Sequence, residues 1–454
     1  MAAAVGEQRL RIVAGLIRVT GDWELAEDCV QDAVERALAR WPRDGVPVNP
    51  AAWLTTTAHR RALDLLRRRR TEADKLREVQ ALTETEGSAV DPYGGVYRDD
   101  QLRLLFTCCH PALPPAGRVA LTLKTVAGLS TRELAAAFLV TEPTMGQRLL
   151  RTRTKIAHAG IAFRVPEPHR LAARTVGVLA VVYLIFNEGY SNADGGAGDL
   201  AAEGVRLVGL LAALLPTDDE VQGLRALLLL QHARRASRTD VNGELVPMEE
   251  QDRRGWDRAM IVDGMAVLDR SRVAGRAPGP YRLQAEIAAE HALAPDAAAT
   301  DWARIVVLYD VLFDQQPSPV VALNRAAAVG FRDGPQAGLA ALAEVERDER
   351  LAGYHLLPAV RADLLRRLGC AAEAAAAYRD ALTLVRTAAE RRFLERRLRE
   401  VTASGTTPGD RADQPDVMAS SPPGDAWVPA GESGQLRQVA GPKWSVATPI
   451  CPDS

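Results

Sequence analysis

Thr144, Gln147, Arg148 and Arg151 recur at three- and four-residue spacing, so a helix would present them on one face. That face carries amide and hydroxyl groups and two guanidinium forks. These groups suit the acceptor edges of bases and phosphate oxygens, and they do not suit proton transfer. A second set, Asp28, Gln31, Asp32 and Glu35, shares a face by the same spacing and is rich in acceptors. It reads either as a docking face for a basic or polar protein surface or as a solvated helix flank. A third set joins Trp53 to Arg60, Arg61 and Arg67, ahead of the run that ends at Arg70. Arginines near a tryptophan suit phosphate contact and stacking on single-stranded bases, although arginine runs also occur as plain solvated helix ends. Between the second and third sets lies Trp41-Pro-Arg-Asp-Gly-Val-Pro-Val-Asn-Pro50, a constrained loop of the kind that carries recognition.

Other chemistry-bearing residues do not assemble into a site. Cys108-Cys109-His110 lacks the spaced pairs of a metal centre and reads as packing at a helix end before Pro111. Phe186-Asn-Glu-Gly-Tyr-Ser191 has the look of an active-site loop but brings no nucleophile–base pair or phosphate loop. It reads as a helix cap or a ligand-sensing turn. His232, His291 and His355 are isolated and read as structural. No catalytic residue, metal or cofactor is expected, and the chain is not expected to be an enzyme.

The elements that must position these sets are helices. Ser130 and Glu133 form a capping box, so a helix should start at Ser130, with Leu134, Ala135 and Phe138 on its apolar face. Thr141 can cap a second helix that carries Pro143 in its first turn. The stretch 128–155 is therefore a helix-turn-helix whose second helix is polar and basic. Residues 101–164 hold nine Lys/Arg against two acids, although the whole chain has a formal net charge of −2. Apolar positions at helical spacing fill residues 5–70: Leu10, Val13 and Ile17, then Leu25, Val30, Val34 and Leu38, then Trp53, Leu54, Leu63 and Leu66.

The fold class expected is all-α. The 454 residues divide into 1–70, a polar linker at 71–98, a block at 99–164, a long Ala- and Leu-rich helical region at 169–400, and a Pro/Gly/Ser-rich tail at 403–454 without periodicity. Gly369 to Ala381 resembles half of a tetratricopeptide repeat, and Asp333 to Leu342 echoes it. An ordinary alanine-rich bundle is the alternative. Five cysteines make no disulfide framework and fit a reducing cytosol. The longest apolar stretch, Val176 to Phe186, reads as a buried helix too short to span a membrane, so a cytoplasmic protein without a membrane partner is expected.

Together the blocks closely resemble the sigma-70 family of bacterial RNA polymerase initiation factors, in its extracytoplasmic-function (ECF) subgroup. The matching residues are TGDWELAEDCVQDA at 20–33, PAAWLTTTAHRRALDLLRR at 50–68 and the helix-turn-helix at 128–155. Residues 169–400 resemble the large C-terminal extension of one ECF branch through FTCCHP (106–111), FNEGYS (186–191), WDRAMI (256–261), GPYRLQA (279–285) and SPVVALNRA (318–326). The resemblance implies that core RNA polymerase and promoter DNA are partners. It implies that Asp28, Gln31, Asp32, Glu35 and Arg36 grip the polymerase clamp helices. Trp41 to Asn49 would capture a flipped −10 base, and Trp53, Arg60, Arg61 and Arg67 would contact the −10 strand. Thr144, Gln147, Arg148 and Arg151 would read the −35 element. Gly146 stands where many members carry a lysine, which removes one phosphate contact. The extension is expected to regulate, through a partner protein or in cis. A helix-turn-helix regulator that never joins polymerase and a repeat-type interaction scaffold are the alternatives.

Overall fold

A computed structural model of the chain describes residues 2–77, 96–138, 140–191, 200–273, 277–385 and 387–404. Among the described residues the regular structure is helical, apart from one antiparallel bridge between Thr239 and Leu245. The chain divides into two compact units. Unit 1 comprises Met1–Phe186 with Gly195–Pro216, and unit 2 comprises Asn187–Asp194 with Thr217–Ser454.

Unit 1 begins with α1 (Ala2–Thr20), α2 (Trp23–Asp44) and α3 (Pro50–Arg77). All three pack on one another through Ile12, Leu16, Leu25, Val30, Leu54 and Ala58. Asp22 caps α2 by accepting the Leu25 N–H at 3.0 Å. α2 runs through Pro42 and stops at Gly45, whose φ of 83° carries the chain out of the helix. A proline this near the C-terminal end forfeits one helical hydrogen bond, and the helix continues only as far as Asp44. Asn49 then caps α3, its side-chain oxygen accepting from the Ala52 N–H at 3.0 Å. Because α3 extends to Arg77, the first seven residues of the linker expected at 71–98 are helical, and its last residues open the next helix. Residues 78–95 lie outside the described residues.

The second half of unit 1 contains α4 (Val96–Cys108), α5 (Pro115–Thr122), a π-helical turn at Leu123–Ala127, α6 (Thr131–Ala137) and α7 (Glu142–His158). Gly128, left-handed at φ 81°, ends the π turn and aims the chain into α6. α4 packs on α1, and α5 packs on α7. Two further helices belong here, α8 (Pro168–Ser191) as far as Phe186, and α9 (Leu200–Leu214). Arg174 on α8 donates to the Phe106 carbonyl at 2.6 Å. Gly204 on α9 meets Phe186 so closely that a Cβ would stand 2.8 Å from the phenylalanine Cβ. FNEGYS is thus the end of α8 and neither a cap nor a turn. α8 is also longer than its apolar run. His169–Tyr190 is apolar and long enough to cross a membrane by length and composition alone, and half of its apolar window is buried inside the protein.

Unit 2 holds α10 (Asp219–His232), α11 (Arg258–Val273), α12 (Pro280–Leu293), α13 (Trp302–Gln315), α14 (Pro319–Arg332), α15 (Pro335–Val345), α16 (Leu356–Arg367), α17 (Ala371–Leu384) and α18 (Ala388–Ser404). Consecutive helices from α12 onward pack in pairs, and α14 to α18 share a core around Leu323, Leu342, Leu364, Tyr378 and Phe393. Small residues allow close approach. At Gly338 a Cβ would stand 2.8 Å from the Gly330 Cα. Gly369, Ala374, Tyr378 and Ala381, the residues that suggested half a repeat, are a left-handed glycine before α17 and three buried positions on α17. The tail expected at 403–454 falls outside the described residues from 405 onward.

Candidate nucleic-acid interface

The helix-turn-helix is built by its caps. The Ser130 N–H donates to the Glu133 carboxylate at 2.7 Å, and the Glu133 N–H donates to Ser130 Oγ at 3.1 Å. These bonds hold the Glu133 carboxyl below its usual pKa range. Thr141 Oγ1 accepts the Thr144 N–H at 3.4 Å and pairs with Thr144 Oγ1 at 2.8 Å. α7 buries Met145, Leu149, Thr152 and Ile156. Thr144, Gln147 and Arg151 are exposed on another side, and Arg148 is half-buried, with its guanidinium 5.7 Å from the Phe138 ring centroid. The four expected −35 residues therefore lie together on one solvent-facing flank. Gly146 has open space where a Cβ would stand.

On α2, Asp28, Gln31, Glu35 and Arg36 are exposed, and Gln31 donates to Glu35 at 3.1 Å. Partial desolvation raises the Asp28 pKa, and the carboxylates of Glu24, Glu27, Asp32 and Asp22 raise it further. A stripe that disfavours its own charges in this way is an electrostatic match for a cationic surface. Asp32 differs from its neighbours. Its carboxylate accepts from Arg61 Nε at 2.7 Å, so one expected polymerase contact and one expected −10 contact are paired with each other.

Trp41 also differs from expectation. It lies in α2 and not in the loop, is 5% exposed, and packs edge-on against Trp53 with ring centroids 5.6 Å apart. Its indole N–H is buried without an acceptor. Trp41 and half-buried Trp53 thus pair where α2 ends and α3 begins, on either side of the Gly45–Asn49 loop. The loop itself exposes Val46, Val48 and Asn49, while Arg60 and Arg67 are exposed along α3.

Three residues that bind the two halves of unit 1 together were not singled out by their spacing. Arg153 on α7 donates to Glu27 Oε2 at 2.9 Å and approaches Glu24 at 3.4 Å. At 100° per residue Arg153 lies opposite Thr144, a signal that it does not share the recognition flank. Cys108 and Cys109 are buried at the end of α4, and burial pushes the Cys109 thiol up to about 11. Among the described residues no group of three or more His, Cys, Asp or Glu is placed to hold a metal ion.

Comparison with known proteins places both halves of unit 1 in known families. Sigma-70 region 2 matches residues 6–72, and sigma-70 region 4 matches residues 103–156. The probable ECF RNA polymerase sigma factor SigI of Mycobacterium tuberculosis (strain H37Rv) is 30% identical over 223 residues, which cover 46% of this chain and 73% of that protein.

The chain belongs to the ECF sigma factors.

It is a transcription-initiation factor that binds core RNA polymerase and promoter DNA. Residues 174–272 of the sigma factor match a family of unknown function, DUF6596, which starts in α8 and runs through α11. An uncharacterised protein of Rhizobium meliloti (strain 1021) is 43% identical over 410 residues, 89% of this chain and 96% of that protein, so it shares the extension as well. No solved structure matches the chain significantly.

Proposed function

We propose that Asp28, Gln31, Glu35 and Arg36 dock the factor on polymerase, with Asp32 acting through its hold on Arg61. The Gly45–Asn49 loop, Arg60 and Arg67 engage the −10 strand over a Trp41–Trp53 base. Thr144, Gln147, Arg148 and Arg151 read the −35 element. The observation that carries this reading is the separation of two solvent-facing flanks in one unit, acidic on α2 and donor-rich on α7. The factor works in the cytoplasm by binding, without chemistry of its own. In vitro transcription with core polymerase on a library of promoter fragments should yield a defined subset of start sites, each preceded by a shared −35 and −10 sequence. Transcripts starting without such elements would remove the assignment.

We further propose that unit 2 regulates unit 1 in cis. Its helix pairs offer an open groove at Glu346, Leu357, Arg361, Glu373 and Asp380, a surface suited to protein contact. A fragment that tests this should end at Pro216 and not before α8, because α8 and α9 complete the unit 1 core. Equal transcription by the full chain and residues 1–216 at matched concentrations would refute regulation in cis.

A further inference from the structure

Unit 2 buries three arginines where α10 hands on to α11. Arg234, Arg238 and Arg253 are 6%, 7% and 6% exposed. Arginine is seldom buried this far without a carboxylate partner. Arg234 Nε donates to the Tyr190 hydroxyl at 3.0 Å. Arg238 donates to the Tyr190 carbonyl and lies over the Tyr190 ring, 3.6 Å from its centroid. Arg253 donates to the His291 and Ala294 carbonyls at 2.8 and 2.6 Å and to Thr300 Oγ1 at 3.1 Å. These acceptors are all neutral, and among the described residues no carboxylate closes an ion pair with any of the three. The tyrosine that gathers the first two stands in FNEGYS, at the end of α8.

The same cluster is rich in donors with nothing to donate to. Arg234 Nη1, Arg253 Nε, Gln231 Nε2 and Asn187 Nδ2 are all buried without an acceptor. Asn187 stands three residues before Tyr190 and so shares its face of α8. Gln231 stands three residues before Arg234, and its carbonyl accepts from the Tyr190 hydroxyl at 3.3 Å. His291 adds a ring nitrogen, Nδ1, that is buried without a partner. Burial first, then Arg234 and Arg253, push the His291 pKa down to about 3, so the ring is neutral and both arginines are its neighbours. The acids that act on the cluster are Glu249 on Arg234 and Arg253, Asp296 on Arg253 and Glu390 on Arg238, all from beyond ion-pair distance. Water satisfies an N–H group but leaves three buried guanidinium charges uncompensated. An oxyanion supplies acceptors and charge together, and guanidinium forks with amide N–H groups are the donors that hold carboxylates and phosphates.

We propose that Asn187, Gln231, Arg234 and His291 line a binding site in unit 2 for a small oxyanion, a carboxylate or phosphate group, with Arg238 and Arg253 completing the positive field around it. Arg234 and the two amides donate to the anion, and Tyr190 positions Arg234 through its hydroxyl. Glu249, Asp296 and Glu390 act at longer range and soften the cost of the buried charges when the anion is absent. All these residues belong to unit 2, so the site does not depend on how unit 2 acts on unit 1.

The full chain tests this. Melting is followed in sodium phosphate, in sodium acetate and in a bulky sulfonate buffer at one pH and ionic strength, with hydrogen exchange read over residues 187–191, 231–238 and 253–256. Phosphate or acetate should raise the melting temperature of unit 2 by about 5 °C or more at about a hundredfold excess over half-saturation. Protection should rise in those three segments, and the anion that acts at the lower concentration tells phosphate from carboxylate. Arg234→Met should melt at or above the parent in sulfonate, because it removes an uncompensated buried charge, and should bind the anion about tenfold more weakly or worse. Asn187→Leu removes a donor that no protein acceptor uses. It should fold like the parent and weaken binding by a smaller factor, and it carries the test if Arg234→Met does not fold. Exposed Arg254→Gln should bind as the parent does. Parental melting and exchange unchanged across all three buffers would overturn the site. So would an equal gain in Arg234→Met, which marks a general salt effect, or an equal loss of stability by Arg234→Met in every buffer, which marks an arginine that only braces Tyr190.

Discussion

Replacing Trp41 separates a supporting role from a reading role at the −10 loop. The side chain is 5% exposed, and its ring meets Trp53 edge-on at 5.6 Å. Truncation to alanine removes a buried indole and should cost about 3–5 kcal/mol, of which about 0.5–1.5 kcal/mol is the aromatic pair. Trp41→Phe keeps a ring against Trp53 and deletes an indole N–H that has no acceptor. The desolvation penalty of that donor, about 1–3 kcal/mol, disappears and offsets much of the lost ring area. Trp41→Phe should therefore fall within about 1.5 kcal/mol of the parent. Hydrogen exchange followed over α2 and α3 in the full chain reads the cost locally. Binding to a set of −10 variants reads selectivity. The expected result is a large loss of protection in Trp41→Ala and an unchanged order of −10 preferences in Trp41→Phe. Parental protection in Trp41→Ala together with altered −10 preference in Trp41→Phe would refute the argument and return Trp41 to the DNA surface.

Four other outcomes follow from the same geometry. Asp28→Lys with Glu35→Lys should lower core polymerase capture at least tenfold while the protein stays folded, because both carboxylates are exposed; undiminished capture would take α2 out of the docking surface. Arg148→Ala should cost about 1–3 kcal/mol and relax preference at one −35 position, whereas loss of a phosphate contact would weaken all sequences alike and flatten the salt dependence. Gly338→Ala should lower the melting temperature of unit 2 through about 1–3 kcal/mol of overpacking against Gly330, and an unchanged melt would mean that α14 and α15 separate freely. His291 is buried with its pKa pushed down to about 3, first by desolvation and then by Arg234 and Arg253. Its folded value lies below the ordinary value of 6.5, so it favours the folded state at neutral pH and loses that contribution as pH falls from about 6.5 toward 3; His291→Phe should flatten stability across that window, and an identical pH slope would show that His291 does not titrate there.

Local rules made much of this molecule readable. Ser130, Glu133 and Thr141 occupy the caps that their spacing suggests, because capping depends on residues only three positions apart. Thr144, Gln147, Arg148 and Arg151 share a flank for the same reason. The end of α2 was set too early, at Trp41, because Pro42 reads as a helix stop, while the last turn of α2 accommodates the proline and runs to Asp44 with Gly45 as its cap. FNEGYS was misplaced because its Gly189 and Asn187 suggest a turn, yet the apolar run before it carries α8 onward to Ser191. The Arg153–Glu27 pair was invisible for a different reason. Its members are 126 positions apart, and pairing at that range leaves no periodic trace. The attachment of α8 and α9 to unit 1 is likewise a matter of tertiary packing, which composition places with the rest of the extension.

The buried thiols of this factor have a consequence for its redox chemistry. Cys29, Cys108 and Cys109 are all buried, and burial drives the first and last up to about 11 and Cys108 well above the ordinary thiol value. A thiol with a value near 11 is ionised in roughly one molecule in ten thousand at pH 7, and the thiolate is the nucleophile that attacks peroxides and disulfides. Burial and a raised thiol pKa therefore make the Cys108-Cys109 pair a poor nucleophile toward oxidants. These three sulfurs are expected to resist oxidation in the folded chain, and mass spectrometry after peroxide treatment checks it.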